Sequence, residues 1–376
     1  MGANPLPIAA MPLTIATFNV ENLYARFDFA GKVTRERRVV GTYSIEDARE
    51  YDIVRKSFEA AASDDVRQLT ALAIAETEAD VVCLQEVDSP QALDLFYENY
   101  LRPVLRQRFG AATRGLDREQ RERVAPAWFY DFRTVVPGND TRGIALGVLS
   151  RFPVSAISNA GLGYDFIREE EPDWPALEAM IATRSGLLFR RDCLEIEVET
   201  GGAPLTLFNC HFKSMQPIAK GGDGRLDTAL LRRAEARGVR KLIERRFGVK
   251  GAREANWAIC GDLNDFVAIE GAPAPGGALG PLFEDGFCVD PMTRLPPDER
   301  WTHYFASDDI YVQLDYLLLS PRLARANAAA LPRVVRRGQP FRVPRLEGLP
   351  RYPRTGWARP KASDHCPVAI TLDVPG

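Results

Sequence analysis

The sequence predicts an α/β protein in which two sheets pack together and helices lie outside them. Short, almost entirely apolar runs such as 81–84 recur along the chain, and such runs are typical of strands that are buried on both faces. The order of segments is strand, helix, strand and helix, then many strands, then a long helix followed by further strands. This order favours two stacked sheets with their helices on the outer faces.

The N-terminal part of the chain alternates strands with helices. Residues 13–19 form the predicted first strand, residues 66–76 have apolar positions at helical spacing, and residues 80–86 form the second strand. A further helix is predicted directly afterwards, because Ser89 is a favourable N-cap and Pro90 suits the first helical position.

The middle of the chain is rich in predicted strands. Apolar runs predict strands at 128–132, 144–149, 186–189, 193–198 and 205–209. The residues 190–192 resemble the turn of a hairpin. From Arg225 to Arg246 the sequence predicts a long helix, whose arginine-rich face we interpret as solvated surface.

The C-terminal part returns to strands. Strands are predicted at 258–262, 301–305 and 313–320, and the Gly/Pro-rich segment 271–280 is predicted to be a loop. The aromatic run 301–305 contains His303, which we interpret as structural or substrate-facing.

The whole chain, 1–376, is interpreted as a single domain whose core spans about 13–373. Length alone would favour two domains. Polar clusters near both ends of the chain must nevertheless meet if they form one site, and a domain boundary between them would divide that site. Insertions are expected near 31–50, 266–280 and 333–361.

The charge balance gives no overall basic footprint for nucleic acid. Lys and Arg total 48 against 51 Asp and Glu, for a net charge of −3 and a pI near 5.9. The stretch 333–361 is different, because it holds nine basic residues and a single acidic one. Phe341, Tyr352 and Trp357 are interleaved with its arginines, which suits phosphate contact combined with base stacking. Arg336 and Arg345 are predicted to bind substrate there; a surface loop with solvated arginines is an equally weighted alternative.

The six cysteines show no CxxC spacing, and at least Cys83, Cys210 and Cys260 lie in apolar runs, where a thiol behaves as a small buried hydrophobe. We therefore expect neither a disulfide framework nor a zinc site. The N-terminus has no basic segment followed by a long apolar stretch, and no apolar run reaches membrane-spanning length. The resulting expectation is a cytoplasmic protein with no membrane span and no obligate protein partner.

Polar clusters follow several predicted strands, where a sheet can present carboxylates, amides and imidazoles to one pocket. Glu86 ends a buried run, which is a costly place for a carboxylate that has no partner. It suits a ligand of a hard cation such as Mg²⁺, which prefers one or two carboxylates together with water and substrate oxygens. Asn19, after the first strand, is a candidate to support the metal or the phosphate. Either residue alone would also fit an ordinary strand terminus.

The segment 261–264, Gly-Asp-Leu-Asn, is the strongest single motif. Phosphoester hydrolysis requires a group that orients or deprotonates water and a donor that holds the phosphate. Asp262 and Asn264 lie two residues apart on one face of an extended segment and supply both groups. For this motif alone an ordinary turn is an equally weighted alternative, since its residues are turn formers.

Two of the three histidines lie within polar clusters. His211 follows a strand and precedes Lys213, which places a donor and a cation together for an anionic substrate. His365 needs an acidic residue to orient it if it is to act as a general base or to stabilise charge. Asp315, on a buried strand, is the candidate, and Asp364 is then available for a metal.

Taken in order, these clusters resemble the endonuclease/exonuclease/phosphatase superfamily, with Gly-Asp-x-Asn at 261–264 and Ser-Asp-His at 363–365 as the specific elements. The resemblance runs from Thr14 to about Leu372. The His-containing segment 209–214 is similar to the DNase I, sphingomyelinase and uncharacterised bacterial branches. It differs from the Tyr-containing motif of exonuclease III-like members, and the Trp-Cys-Asp-Arg signature of the inositol phosphatases is absent.

The resemblance implies a DNase I-like fold, a four-layer α/β sandwich in which two mainly antiparallel sheets are flanked by helices, and it implies dependence on Mg²⁺ or Mn²⁺. The metal end of the implied site is formed by Asn19, Glu86 and Asp364. Its catalytic residues are His211, Asp262, Asn264, Asp315 and His365. The predicted contacts to substrate come from Arg142 and Lys213, besides Arg336 and Arg345.

The leading prediction is therefore a divalent-metal-dependent phosphodiester hydrolase, a nuclease in which an activated water attacks in line. The first alternative is a phosphatase or phosphodiesterase acting on a small phosphorylated metabolite or a lipid headgroup. The weakest alternative is a catalytically inactive binding module, because every acidic and imidazole position of the pattern is retained. An open basic groove would favour a polymeric substrate, and a closed pocket would favour a metabolite.

Overall fold

The computed structural model describes residues 12–24, 48, 64–182, 186–217 and 221–376. The strands are β1 Leu13–Leu23, β2 Val81–Val87, β3 Phe132–Val136, β4 Ala145–Ser150, β5 Val154–Ile157, β6 Cys193–Val198, β7 Leu205–His211, β8 Trp257–Asp262, β9 Ala268–Ile269, β10 Ala272–Pro273, β11 His303–Phe305, β12 Ile310–Val312, β13 Asp315–Leu319, β14 Arg333–Val334 and β15 Val368–Leu372. The α-helices are α1 Asp64–Thr77, α2 Pro90–Phe96, α3 Arg102–Ala112, α4 Arg118–Val124, α5 Trp174–Ile181, α6 Gly224–Asp227, α7 Ala229–Phe247, α8 Gly280–Phe283 and α9 Pro321–Ala326.

Two large sheets form the centre of the molecule. The first has the order β14-β15-β1-β2-β4-β3 and the second has the order β13-β8-β7-β6-β5. Each contains one parallel pair, β1 with β2 in the first sheet and β7 with β8 in the second, and every other neighbouring pair is antiparallel. A small third sheet of order β10-β9-β12-β11 lies beside them.

The core has three apolar layers, which explains the four-layer architecture. Ile15, Val148 and Leu207 belong to the middle layer, where the inner faces of the two sheets meet. The outer face of the first sheet packs against α1, α2 and α3, and that of the second packs against α7, α5 and α8. The prediction of two mainly antiparallel sheets flanked by helices is confirmed.

Two local helix predictions are confirmed as well. Helix α1 covers the predicted 66–76, and α2 begins as expected: the Ser89 hydroxyl accepts a hydrogen bond from Ala92 N at 3.1 Å, and Pro90 occupies the first turn. All six cysteines are buried and free. Within the described ranges, no helix combines the length and apolarity that a membrane crossing requires.

Two predicted strands are wrong. The run 128–132 contributes only its last residue to β3, because Trp128 and Phe129 instead pack edge-on against Phe109 of α3. The run 186–189 makes one isolated bridge, and the expected hairpin at 190–192 is absent. Leu188 and Phe189 of that run are buried against α7, and their side chains lie beside Gly238. Burial under a helix therefore accounts for the apolar run.

The predicted helix from Arg225 to Arg246 is interrupted at Thr228, and its arginine face is not wholly solvated. Arg232 is fully buried, and its Nε donates to Asp265 Oδ2 at 3.0 Å. Arg225 donates to the other oxygen of the same carboxylate at 2.7 Å. A buried acid therefore accounts for arginines that the sequence pattern assigned to solvent.

The three predicted insertions differ in outcome. The segment near 31–50 falls outside the described residues, apart from Ala48. The segment 266–280 supplies β9 and β10 of the small sheet. The segment 333–361 begins with β14 and then runs as irregular chain that is tied to the first sheet and to α1.

Candidate active site

The site lies where the two parallel pairs end. Asn19 in β1 and Glu86 in β2 belong to the first sheet, and His211 and Asp262 end β7 and β8 in the second. The strand register sets His211 opposite Asp262, and Asp262 opposite Asp315 at the start of β13. Because the two sheets face each other, their carboxyl ends enclose one cavity of about 450 Å³.

The cavity combines acids, amides, imidazoles and cations. Its lining includes Asn19, Glu21, Asn22, Glu86, Asn139, Asp140, Arg142, Arg190, Arg191, His211, Lys213, Asp262, Asn264, Asp364 and His365. Ten of the twelve residues predicted for the site are therefore at the cavity or in direct contact with it, counting Asp315 through its bond to His365.

Local irregularities in the strands aim these groups at the cavity. The β1–β2 and β2–β4 ladders both shift register beside Glu86, which has φ +66°. Glu21 and Asn22 on β1 also have positive φ, +48° and +62°. Bulges of this kind redirect side chains, and non-glycine residues with positive φ concentrate at functional sites. Asn22 N donates to Glu86 Oε2 at 3.0 Å, which fixes the redirected carboxylate.

The Gly261–Asn264 motif has a structural requirement as well as a chemical one. Gly261 has φ +142°, and a Cβ there would lie 1.9 Å from the carbonyl oxygen of Cys210, so only glycine lets β8 approach β7 so closely. Asn264 has φ +49°, and its N–H donates to Asp262 Oδ1 at 2.8 Å. Its side-chain Nδ2 donates to Asp262 Oδ2 at 3.1 Å. The motif is thus a tight turn that also orients a carboxylate.

Asp262 is the centre of the constellation. Asn19 Nδ2 donates to its Oδ2 at 3.1 Å, and the Nε2 atoms of His211 and His365 lie 3.6 Å and 3.8 Å from the same oxygen. Burial, reinforced by the nearby Asp315 carboxylate, raises the pKa of Asp262 to about 7, although His365 opposes the shift. A carboxylate with such a pKa exchanges protons readily near neutral pH.

The two imidazoles differ in charge. His365 Nδ1 lies 2.8 Å from Asp315 Oδ2. Burial alone would lower the pKa of His365, but the Asp315 and Asp262 carboxylates raise it well above its ordinary value. For His211, burial and the nearby Arg191 and other cations lower the pKa well below its ordinary value. His365 is therefore a cation and His211 a neutral ring at neutral pH.

The acidic end of the cavity has a donor set that fits a hard divalent cation. Glu86 and Asp364 present carboxylates and Asn19 presents an amide. Burial raises the pKa of Glu86, which is the response of a carboxylate that lacks a full positive counterpart. Asn22, whose backbone N–H donates to Glu86, also has a buried Oδ1 atom that finds no hydrogen-bond partner within the described part of the chain. His303 also brings a ring nitrogen within 4.8 Å of ligand atoms of Asp364 and His365.

Asp364 is held differently from Glu86. Burial would raise its pKa, but the Lys361 ammonium, with its Nζ 3.9 Å from Asp364 Oδ2, and the His365 ring hold that pKa well below its usual range. Lys361 also lies 3.0 Å from Glu21 Oε2. Asp364 is therefore ionised at neutral pH.

Arg191 is a cavity cation that sequence reasoning missed, because it was assigned to a hairpin turn. Its Nε donates to Asp140 Oδ2 at 2.9 Å and its Nη1 donates to Phe212 O at 2.6 Å. Arg142 donates to both oxygens of Asp140 and approaches Glu86 Oε1 at 4.0 Å. Asp140, two residues before Arg142 in a loop between Gly138 and Gly143, was the signal in the sequence for an acid that binds two arginines.

The structure does not place Arg336 and Arg345 among the residues that line the cavity, and their contact with substrate stays a prediction. Arg336 is mostly buried: it donates to Trp301 O at 3.0 Å and lies over the Trp301 ring. Arg345 pairs with Glu270 and stacks on Tyr311. Both guanidinium groups hold the 333–361 segment against its neighbours.

A buried polar bridge behind the cavity joins the two sheets. Asn209 of β7 donates through Nδ2 to Leu84 O and Gly147 O of the opposite sheet, both at 3.1 Å, and accepts from Gln85 Nε2 at 2.8 Å. Both amide side chains are fully buried. They fix the relative position of β2 and β7, and hence of Glu86 and His211 at their ends.

Comparison with known proteins decides the family. The model of the endonuclease/exonuclease/phosphatase family matches residues 16–365. The chain belongs to the endonuclease/exonuclease/phosphatase family. As a member, it is a metal-dependent phosphoester hydrolase that uses a divalent cation. A comparison with curated proteins gives no match.

Solved structures are similar to this chain over most of its length. The SmcL crystal structure is similar with a TM-score of 0.52 at 14% identity, over 96% of this chain and 99% of that chain. Truncated Caenorhabditis elegans TDP2 gives 0.47 at 12% identity over 96% and 98%. An AP endonuclease from Archaeoglobus fulgidus gives 0.46 at 14% identity over 96% and 100%. The DNase I-like fold expected from the sequence is confirmed.

Proposed function

We propose that this family member is a Mg²⁺- or Mn²⁺-dependent phosphodiesterase whose substrate is nucleic acid. One observation carries the hydrolytic part of the proposal: the Asp262 carboxylate, the His365–Asp315 pair and the acidic Glu86 end converge on a single cavity that four Arg and Lys side chains also line. These are the groups that phosphoryl transfer requires, namely a proton acceptor, positive charge for the phosphate oxygens and a cation site.

Glu86, Asp364 and Asn19 would hold the cation, which would supply positive charge to the phosphate oxygens and the leaving group. Asp262, held by Asn19 and Asn264, would orient the attacking water and accept its proton. His365, kept protonated by Asp315, would face the negative charge that develops on the phosphate. These assignments make water attack from the Asp262 side of the cavity.

Cationic and neutral donors would position the phosphate itself. Neutral His211 offers Nε2 beside Asp262, so it serves as a hydrogen-bond donor without adding charge. Arg142, Arg191 and Lys213 also line the cavity. Burial, together with Arg191, lowers the pKa of Lys213 to about 8, so this ammonium is still mostly charged at neutral pH.

A surface beside the cavity supports nucleic acid as the substrate. We call it the aromatic lip, formed by Phe341, Arg342, Trp357 and Arg359. Trp357 is 73% exposed and Phe341 48% exposed, and Arg342 is exposed next to them. Arg359 donates to Glu21 Oε1 at 2.6 Å, which joins the lip to the cavity lining. Exposed aromatic rings with arginines suit the stacking of unpaired bases whose phosphates lie on the cations.

A small phosphorylated molecule is the second candidate. It is favoured by the internal contacts of the 333–361 segment, since Arg336, Arg345 and Arg351 bind backbone or acidic groups of the protein itself. These arginines leave less free positive charge for a polymer than the sequence indicated. The cavity volume of about 450 Å³ is also sufficient for a small ligand.

A metal-supplemented panel of substrates tests the proposal. Bis-p-nitrophenyl phosphate, p-nitrophenyl phosphate, plasmid, abasic duplex and single-stranded oligonucleotides should be compared at equal Mg²⁺ or Mn²⁺. We expect turnover of the diester and of oligonucleotides, with kcat/KM higher for the oligonucleotides. Preferential hydrolysis of the monoester would favour the small-molecule alternative, and no turnover of any phosphoester would contradict the hydrolase.

A further inference from the structure

Glu235 of α7 is a buried acid that lies outside the constellation described above. Its side chain is fully buried, and a buried carboxylate is costly unless its oxygens are satisfied. Both oxygens are satisfied by the main chain: Oε1 accepts from Arg190 N at 2.8 Å and Oε2 accepts from Lys213 N at 2.7 Å. The two residues that it binds both line the cavity.

The position of these two residues in the second sheet explains what the carboxylate does. Strands β6 and β7 pair antiparallel with Cys193 opposite Cys210. The same register, continued three residues further, would set Arg190 opposite Lys213. The ladder stops at Cys193 instead, and both N–H groups point to Glu235. The carboxylate therefore stands between the two chain ends and holds them apart.

The separated segments carry the cationic wall of the cavity. One holds Arg190 and Arg191, and Arg191 is braced by Asp140 and by Phe212 O. The other holds Lys213, whose ammonium is turned to the hydroxyl and carbonyl of Ser214 at 3.2 Å and 2.7 Å. If the ladder closed, these cations would be drawn towards one another and away from the positions they now occupy.

We propose that Glu235 is a positioning residue for phosphate binding: its carboxylate wedges open the β6–β7 ladder and thereby sets where Arg190, Arg191 and Lys213 meet an anionic group. The inference rests on the proposed function for the identity of that anion as a phosphoester. Burial raises the pKa of Glu235 to about 7, so its negative charge is fully developed only above that pH. In that range the proposal has an unusual sign, because a negative charge on the protein would strengthen the binding of an anion.

The direction in which anion affinity changes when the Glu235 charge is removed distinguishes a positioning role from a purely electrostatic effect. Removal of a nearby negative charge should strengthen anion binding if only Coulomb forces act. Glu235→Gln removes the charge and keeps the shape of the side chain. Its NH₂ group then faces one of the two backbone N–H groups and cannot accept from it, so one segment loses its hydrogen bond. Glu235→Asp keeps the charge but shortens the reach, so that it cannot bind both N–H groups. Glu244→Gln, on the same helix and paired with Arg240 at 3.0 Å, is the matched charge control.

The first readout is binding of inorganic phosphate by calorimetry, with no turnover required. We expect both Glu235 variants to weaken phosphate binding by about tenfold, with Glu244→Gln unchanged. With bis-p-nitrophenyl phosphate, KM should rise by a similar factor while kcat changes less. Phosphate binding that is equal to or tighter than wild type in a folded Glu235→Gln variant would overturn the proposal.

The second readout needs no variant. The amides of Arg190 and Lys213 lie outside the strands, so hydrogen exchange in the wild-type protein should show them protected only if the carboxylate holds them. Rapid exchange at both amides overturns the wedge even if the variants fail to fold. Because phosphate binding and exchange are measured without hydrolysis, a failure of the proposed activity would remain distinguishable from a failure of the wedge.

Discussion

His365 Nδ1 and Asp315 Oδ2 lie 2.8 Å apart, both buried, although the two residues come from β13 and from the loop before β15. Among the residues that the structure describes, Asp315 Oδ1 has no hydrogen-bond partner, and the imidazole is the side chain that the carboxylate binds. This pair keeps His365 charged despite its burial, and the protonated ring then faces Asp262. The relationship gives the most direct test of the proposed chemistry.

Asp315→Asn should lower kcat by about a hundredfold, the usual scale for an acid–base group. In the proposed mechanism the protonated form of His365 is the active one, so activity should be lost as pH rises through its pKa. Without the Asp315 charge that pKa falls, and the alkaline limit of kcat/KM should move to lower pH. Asp308→Asn, at an exposed acid, should leave the pH profile as in wild type. An unmoved alkaline limit in Asp315→Asn would remove His365 from its proposed role.

His365→Ala should be at least as severe as Asp315→Asn. The ring centroids of His303 and His365 lie 4.8 Å apart. His303→Phe keeps an aromatic ring in that position, and its effect on the rate should be much milder. Steady-state rates with bis-p-nitrophenyl phosphate compare the two. Equal losses would indicate that His303, rather than His365 alone, carries charge in the reaction.

Chelation should abolish activity, and Mg²⁺ or Mn²⁺ should restore it, because Glu86 and Asp364 bring two carboxylates to one end of the cavity. Glu86→Gln should weaken the calorimetric affinity for Mn²⁺ by about tenfold or more. Glu78→Gln, an exposed acid with φ +53° like its counterpart in the site, is the control. Full turnover after exhaustive chelation would refute the metal assignment.

The aromatic lip predicts how salt affects nucleic-acid binding. Replacement of Arg342 and Arg359 by alanine should reduce the slope of log Kd against log salt for a single-stranded oligonucleotide, by about 0.7 for each phosphate that an arginine no longer neutralises. Trp357→Ala should weaken binding without a change in slope, since stacking releases no counterions. The double variant of Arg118 and Arg123, both highly exposed on α4, controls for net charge. Unchanged binding in all lip variants would favour the small-molecule substrate.

In contrast to the lip arginines, Arg336 should affect stability and not the salt dependence of binding. Its guanidinium binds two backbone carbonyls and stacks on Trp301. Arg336→Met should therefore lower the free energy of unfolding by about 1–3 kcal/mol and leave the salt slope unchanged. Urea unfolding and oligonucleotide binding measure the two quantities, and a reduced slope with wild-type stability would show that Arg336 contacts nucleic acid after all.

Asp290 predicts a pH-dependent stability. It accepts from Met292 N at 2.9 Å and from Gln313 Nε2 at 3.0 Å, and burial raises its pKa to about 6. A raised folded-state pKa means that ionisation opposes folding, so wild-type stability falls as pH rises from about 4 to above 6. Asp290→Asn keeps both bonds if the Gln313 amide turns over. It should be more stable than wild type by on the order of 2–3 kcal/mol at pH 8.

The advantage of Asp290→Asn should disappear at pH 4, where the wild-type acid is also neutral. Urea unfolding at both pH values measures the difference, and Asp298→Asn, at an exposed acid, provides the control. A difference that is independent of pH would show that Asp290 is not penalised by burial of its charge.

Particular elements show how much of the fold and of the candidate site the sequence predicts. Strand β2 was predictable because its apolar run is local and burial on both faces leaves no other reading. The run 186–189 looked the same but packs under a helix, because apolar composition reports burial and does not report the partner. Glu86, Asp262 and His365 were recognisable because polar groups that end buried runs need a reason to be there.

The sequence by itself therefore determined the layer architecture, the family pattern and the acids and imidazoles of the candidate site. The tertiary structure alone decided which cations join them: Arg191 lines the cavity, whereas Arg336 is turned to backbone carbonyls. It also decided that Glu235 binds the two segments of the cationic wall. The physical reason is that strand and helix patterns depend on neighbouring residues. The direction and charge of a long polar side chain depend on partners that are remote in sequence and on the burial that they share.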